Sequence, residues 1–156
     1  MSRPTTFLTL VSVLALSATA YAAESDKSPE NTSASGDMRQ LVTMPAQSRE
    51  LMRVDMLDHL AVMNELMGLL AENKWAEAGN LVETRMGKST MGKHRATGMG
   101  PGRFMPPEMH SLGINMHIAA SEFAELAKKG DTKNAYLALQ KVNGACVACH
   151  YSYRTR

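Results

Sequence analysis

Both cysteines of this 156-residue chain fall in one five-residue run, Cys146-Val147-Ala148-Cys149-His150. In a helix, Cys149 lies three residues and His150 four residues beyond Cys146. At about 100° per residue, the three side chains then leave one face within an arc of roughly 100°. One helical turn with that spacing can grip a flat macrocycle by its edge and aim a nitrogen at its centre. Cys-x-x-Cys-His is the attachment signature of a c-type haem: the thiols add to the vinyl groups and the imidazole becomes an axial ligand to iron. Plainer readings compete with it. A dithiol redox pair is expected at the start of a helix that follows a strand, and no βαβ pattern precedes this run. A structural zinc site needs two further ligands at finger-like spacing, and there is no third cysteine. A disulfide across a two-residue loop would constrain the unfolded chain little. Covalent haem c is the reading carried forward.

The other end of the chain agrees. Residues 1–22 read as a secretory signal, with Arg3 as the positive region and Phe7 to Leu16 as an apolar stretch too short to span a bilayer. Ala20-Tyr21-Ala22 offers a small-x-small cleavage site, a retained membrane anchor being the alternative. Covalent haem attachment normally follows export, so a bacterial periplasm is the expected compartment. Residues 23–37 carry almost no bulky apolar side chain and read as a flexible tether. Residues 38–156 are left as one ordinary domain. Loss of Arg3 lowers the formal charge from +2 to +1, and two haem propionates would bring it to about −1. Nucleic-acid binding gets no support from that balance.

The mature part reads as all-α, four helical segments with no convincing strand. The first runs from about Ala46 to Asn73, where Met52, Met56, Leu60, Met63, Met67 and Leu70 recur every three or four residues as a core-facing stripe. Trp75 to Met86 makes a second helix. Gly87 to Phe104 is a long loop broken by Gly92, Gly98, Gly100, Pro101 and Gly102. Pro106-Pro107 opens the third helix, with the stripe Met109, Leu112, Met116, Ala120, Phe123 and Ala127, and Lys128-Lys129-Gly130 ends it. Asp131 caps the fourth. There Ala135, Leu139, Val142, Cys146, Cys149, His150 and Tyr153 share a face, so the haem motif continues the core stripe. The haem is then expected between this helix and its neighbours. Aromatic residues are few, and a buried macrocycle would supply the apolar surface they lack.

An export signal, four helices and a late Cys-x-x-Cys-His followed by Tyr151-Ser152-Tyr153-Arg154 resemble the cytochrome c′ and cytochrome c-556 family. The stretch from Gly130 to Arg154 carries the resemblance most closely; the glycine- and methionine-rich loop has no counterpart in it. The resemblance implies an antiparallel four-helix bundle, haem c bound to the last helix, and His150 as proximal ligand. It also implies a first helix covering the opposite haem face, and Tyr153 and Arg154 in places where the family carries an aromatic residue and an arginine. Arg154 is a candidate partner for a propionate. Family members with methionine on the distal side are six-coordinate electron carriers; those with a small apolar residue are five-coordinate and bind nitric oxide or carbon monoxide. An arginine commonly precedes the distal position, and both Arg49-Glu50-Leu51-Met52 and Arg53-Val54-Asp55-Met56 fit. Met56 is favoured, because it leaves a helix length before Trp75 closer to the family's. Met52, Leu57 and His59 are the alternatives, and His59 would give a bis-histidine haem. Methionine stripes also serve as adaptable core packing.

The expected function is therefore single-electron transfer with redox partner proteins, the alternative being a gas-binding module. Homodimers are common in the family. A third reading is copper handling: His110 and His117, each preceded by methionine, share a flank of the third helix. With Met91, His94, Met99 and Met105 of the loop they would offer thioethers and imidazoles to Cu(I). A solvated flank and a soluble loop explain the same residues. No Ser-His-Asp ordering, paired carboxylates or phosphate-cradling loop stands out, so an enzyme is not expected.

Overall fold

The computed structural model describes residues 36–156. The expected signal segment and all of the expected tether but Gly36 and Asp37 lie outside them. The described residues are mostly helical, as an all-α fold requires: α1 spans Ala46–Ala71, α2 Trp75–Met86, α3 Pro107–Lys128 and α4 Thr132–Ser152. Proline starts two of these helices. Pro45 stands before α1, and Pro106 before Pro107 at the head of α3, where a missing N–H costs nothing. Asn73, with φ 58°, ends the first hairpin, as Lys74 N–H donates back to the Leu69 carbonyl at 2.8 Å. That closure stops α1 at Ala71, two residues before the expected Asn73. Between α3 and α4, Gly130 takes φ 74° and Asp131 N–H reaches the Leu126 carbonyl at 3.0 Å, a turn that suits glycine. The Asp131 carboxylate then accepts from Asn134 N–H at 3.3 Å and caps α4 as expected.

Helices adjacent in sequence pack on one another: α3 broadly on α2 and α4, α1 more narrowly on α2. The core is Val62, Leu66 and Leu70 from α1, Val82 and Met86 from α2, Met116 and Phe123 from α3, and Leu139 and Val142 from α4. Buried alanines at 78, 119, 120, 124, 127, 135 and 138 let the later helices approach closely. Gly79 marks the tightest point. A Cβ there would lie 2.7 Å from the Ala124 carbonyl oxygen and 3.1 Å from Lys128 Cγ. Gly79→Ala gains about 1 kcal/mol of helix propensity but must push two backbones apart, at roughly 1–3 kcal/mol. A net loss of about 1 kcal/mol is expected, read as a lower urea midpoint at unchanged slope.

The expected stripe on α1 is corrected. Of the expected residues Leu70 is buried and Met63 packs on the core, but Leu60 and Met67 are 68% and 64% exposed, whereas His59, Val62 and Leu66, outside the stripe, are buried. The core-facing arc is turned by roughly 60–80° from the methionine stripe. Two apolar arcs lie side by side on this helix, and the one ending in Val62, Leu66 and Leu70 fits the alanine-lined faces opposite.

The loop is more ordered in form than its glycines imply. It forms three short 3₁₀ turns, Lys88–Thr90, Arg95–Thr97 and Pro101–Phe104; the first packs on α2 and α3 and the third on α1. His94 Nε2 sits 3.0 Å and Lys93 Nζ 2.8 Å from Asp55, and Ser48 Oγ donates to Met99 Sδ at 3.9 Å. A strand pair was not expected, yet β1 (Gln40–Leu41) pairs in parallel with β2 (Tyr153–Arg154). Val42 N–H extends it to the Arg154 carbonyl at 2.8 Å. Val42 and Met44 are thereby seated beside Met109 in a second small cluster, against which Met52, Cys149 and Tyr153 pack. Asp37, placed in the tether on composition, pairs with Arg39 at 2.7 Å and stands 3.6 Å from Arg154 Nε.

Candidate functional site

Helix α4 continues without a break through the Cys-x-x-Cys-His run. Cys146 and Cys149 are free, half-buried thiols. Together with His150 and Tyr153 they form one wall of a cavity of about 320 Å³, within the range of small-molecule and cofactor sites. Helix α1 supplies the facing wall with Met52, Met56 and His59, and α3 closes it with Met109, Leu112 and Met116. The cavity lies where α1 and α4 scarcely approach each other, α1 packing on α2 and α4 on α3.

The three α1 candidates lie within about 60° of arc and span roughly two turns. Met52 packs on the Val42–Met44–Met109 cluster that Cys149 and Tyr153 also touch. His59 is 8% exposed at the other end. Met56 stands between them, 38% exposed and without a hydrophobic cluster of its own. Leu57, the remaining alternative, is 52% exposed and is not part of the cavity wall.

The thiol environment speaks against dithiol chemistry. Burial pushes both cysteines above the usual thiol value, and Cys146 adds to the effect on Cys149. Both also sit in the last two turns of α4, where the carbonyl end of the helix dipole disfavours a thiolate. Among the described residues no three His, Cys, Asp or Glu side chains converge as a zinc site requires.

His59 is the buried titratable group of the site. Desolvation first, then the neighbouring His117 and Lys93, lower its pKa to about 4. His117 meets it edge-on, ring centroids 6.0 Å apart, and donates through Nδ1 to the Met86 carbonyl at 2.7 Å.

At the cavity mouth stand Arg49, Arg53 and Arg156 with Glu50. Arg53 and Glu50 pair at 2.6 Å on the exposed rim. Arg154 is not part of the wall: its Nη1 donates to the Arg156 carbonyl at 3.1 Å and its Nε faces Asp37. Arg49 and Arg53 entered the sequence reading only as markers of the distal position, and Arg156 did not enter it. A mouth assembled from α1 and the chain beyond β2 leaves no local signal.

The histidines of the copper reading have separate protein neighbours. His94 is held at Asp55, His117 turns inward to Met86, and His110 lies by Gly102, where a Cβ would come within 2.9 Å of its Nε2. Comparison with protein-family models, with curated proteins and with solved structures returned no match.

Proposed function

We propose that this chain is a monohaem c-type cytochrome of the cytochrome c′/c-556 kind, an antiparallel four-helix bundle that carries single electrons in the periplasm. One observation carries the reading: two thiols and an imidazole from one helical turn share an apolar cavity with a row of thioethers from the opposite helix. Haem c fits that donor set. Cys146 and Cys149 would anchor it, His150 would be the proximal ligand, and Met56 the distal one. The arginines at the mouth match two anionic propionates, and Arg49 and Arg156 are better placed for them than Arg154. When bound, the group supplies a one-electron Fe(III)/Fe(II) couple.

The protein's part is electrostatic and steric. Met109, Leu112 and Met116 exclude water from one side, which disfavours the extra positive charge of the oxidised site. A neutral thioether from Met56 acts in the same sense, favouring the ferrous state over what a second imidazole would give. The raised thiol pKa values of Cys146 and Cys149 keep both sulfurs protonated, and so less prone to premature disulfide formation. Residues 1–22 support export.

Ferric holoprotein is expected to show the weak near-infrared thioether-to-iron charge-transfer band, and Met56→Ala to lose it. A high-spin ferric spectrum in the unaltered protein would overturn Met56 as ligand and favour the open, gas-binding form of the same site.

A further inference from the structure

The cavity also holds an imidazole for which the electron-carrier reading has no task. His59 lines the same wall as Met56, opposite His150, and is almost wholly buried. Neither of its ring nitrogens makes a hydrogen bond within the described residues. Arg154 Nε is the one fully buried side-chain nitrogen or oxygen there that lacks a partner. The unbonded nitrogens of His59 therefore touch open space, and the open space it borders is the cavity. Histidines this deep in a fold ordinarily have their polar atoms satisfied. His117 stands at 83° to the ring and holds it in place without using its nitrogens. Burial keeps the imidazole neutral down to about pH 4, so at neutral pH a lone pair is available to a metal.

We propose that His59 is a second, latent axial ligand, taking the sixth coordination position whenever the Met56 sulfur leaves it. The proposal rests on the haem reading above. Met56 and His59 are three residues apart on α1, about 60° around the helix and about 4.5 Å along its axis. The helix that carries them is the least constrained of the four: its packing on α2 is narrow, and its Leu60 and Met67 flank is open. In the exchange one iron–sulfur bond breaks and one iron–nitrogen bond forms. No proton moves, because the imidazole is already neutral, and the iron keeps its oxidation state. The site stays six-coordinate in both arrangements, with the lower potential in the bis-imidazole one.

The test uses holoprotein carrying Met56→Ala, and the Met56→Ala/His59→Ala pair, each with its haem content measured. The single variant is expected to lose the near-infrared band yet remain low-spin when ferric, with pulsed electron paramagnetic resonance showing two imidazole nitrogens on the iron. Its ferrous form should bind carbon monoxide at least tenfold more slowly than the double variant, which is expected to be high-spin. A Met56→Ala protein that holds full haem but is high-spin, and binds carbon monoxide as fast as the double variant, overturns the proposal. Should the double variant fail to accumulate, the nitrogen signature of the single variant decides alone. Unaltered protein with no covalent haem overturns the underlying reading instead, and is told apart by two alkylatable thiols.

Discussion

A Cys146→Ala/Cys149→Ala variant, matured beside the unaltered protein in a host competent for haem c attachment, is expected to come out with no covalent haem. The unaltered protein should carry one haem per chain and no alkylatable thiol. Both sulfurs face one cavity from one turn of α4, so their removal takes away the anchor while leaving the helix, since alanine is its best former. Stability should follow the colour. At about 24 cal/mol per Å³ of unfilled apolar space, a sealed void of the size seen here would cost roughly 8 kcal/mol, a large share of a typical domain's 5–15 kcal/mol. The cavity opens to water at its arginine mouth, so the cost is smaller, but it falls on the α1–α4 gap, where the packing is thinnest. The colourless variant should therefore unfold at a markedly lower urea concentration and expose α1 first in hydrogen exchange. His150→Ala separates anchoring from ligation: it should keep the covalent haem and lose only the low-spin spectrum. Unaltered protein that stays colourless, with two thiols free to alkylate, would sink the proposed function.

Helix ends were legible because single residues set them. Pro45, Pro106-Pro107, Gly130 and Asp131 act through local backbone chemistry, which a sequence states directly. The four segments and their order were readable for that reason. The face of α1 was not. Its two apolar arcs, one through Met56, Leu60 and Met67 and one through Val62 and Leu66, have the same helical period. Only the alanine-lined surfaces opposite decide between them. Turns of three or four residues, and a strand pair two residues long, have no period to detect, so the form of the loop and the β1–β2 clasp could not be foreseen.

The candidate site divides in the same way. Cys146, Cys149 and His150 are adjacent in sequence, and the structure keeps them on one wall. Met52, Met56 and His59 share an arc by their spacing, and that arc does face the cavity. His59 is by sequence only an alternative distal ligand; the rotation of α1 makes it the most deeply buried of the three. The arginine mouth was illegible because it joins residues about a hundred positions apart, and a charge on an exposed rim leaves no pattern in hydropathy.

Stability should fall by about 2 kcal/mol between pH 7 and pH 5, and a single side chain should account for the loss. His59 is neutral in the folded protein down to about pH 4 but takes up a proton near 6.5 when unfolded. Between those values the unfolded state binds the extra proton, so acid favours unfolding. Stability is intact above about pH 6.5, declines by at most about 1.4 kcal/mol per pH unit, and flattens near pH 4 after a total loss of roughly 3 kcal/mol. Carboxylates held low by their partners act in the same direction, Asp58 beside Arg85 from an unfolded value near 3.8 and Glu83 from one near 4.5, so their contribution is lost mostly below about pH 5. The window from 6.5 to 5 therefore isolates the histidine. Urea unfolding of His59→Leu at pH 7, 6 and 5 is expected to change by less than about 0.5 kcal/mol, because leucine fills the buried site and binds no proton. If the unaltered protein and His59→Leu lost stability in parallel over that range, the ring would have to be hydrated in the folded state. An imidazole already solvated there would have no reason to wait, neutral and unbonded, beside Met56.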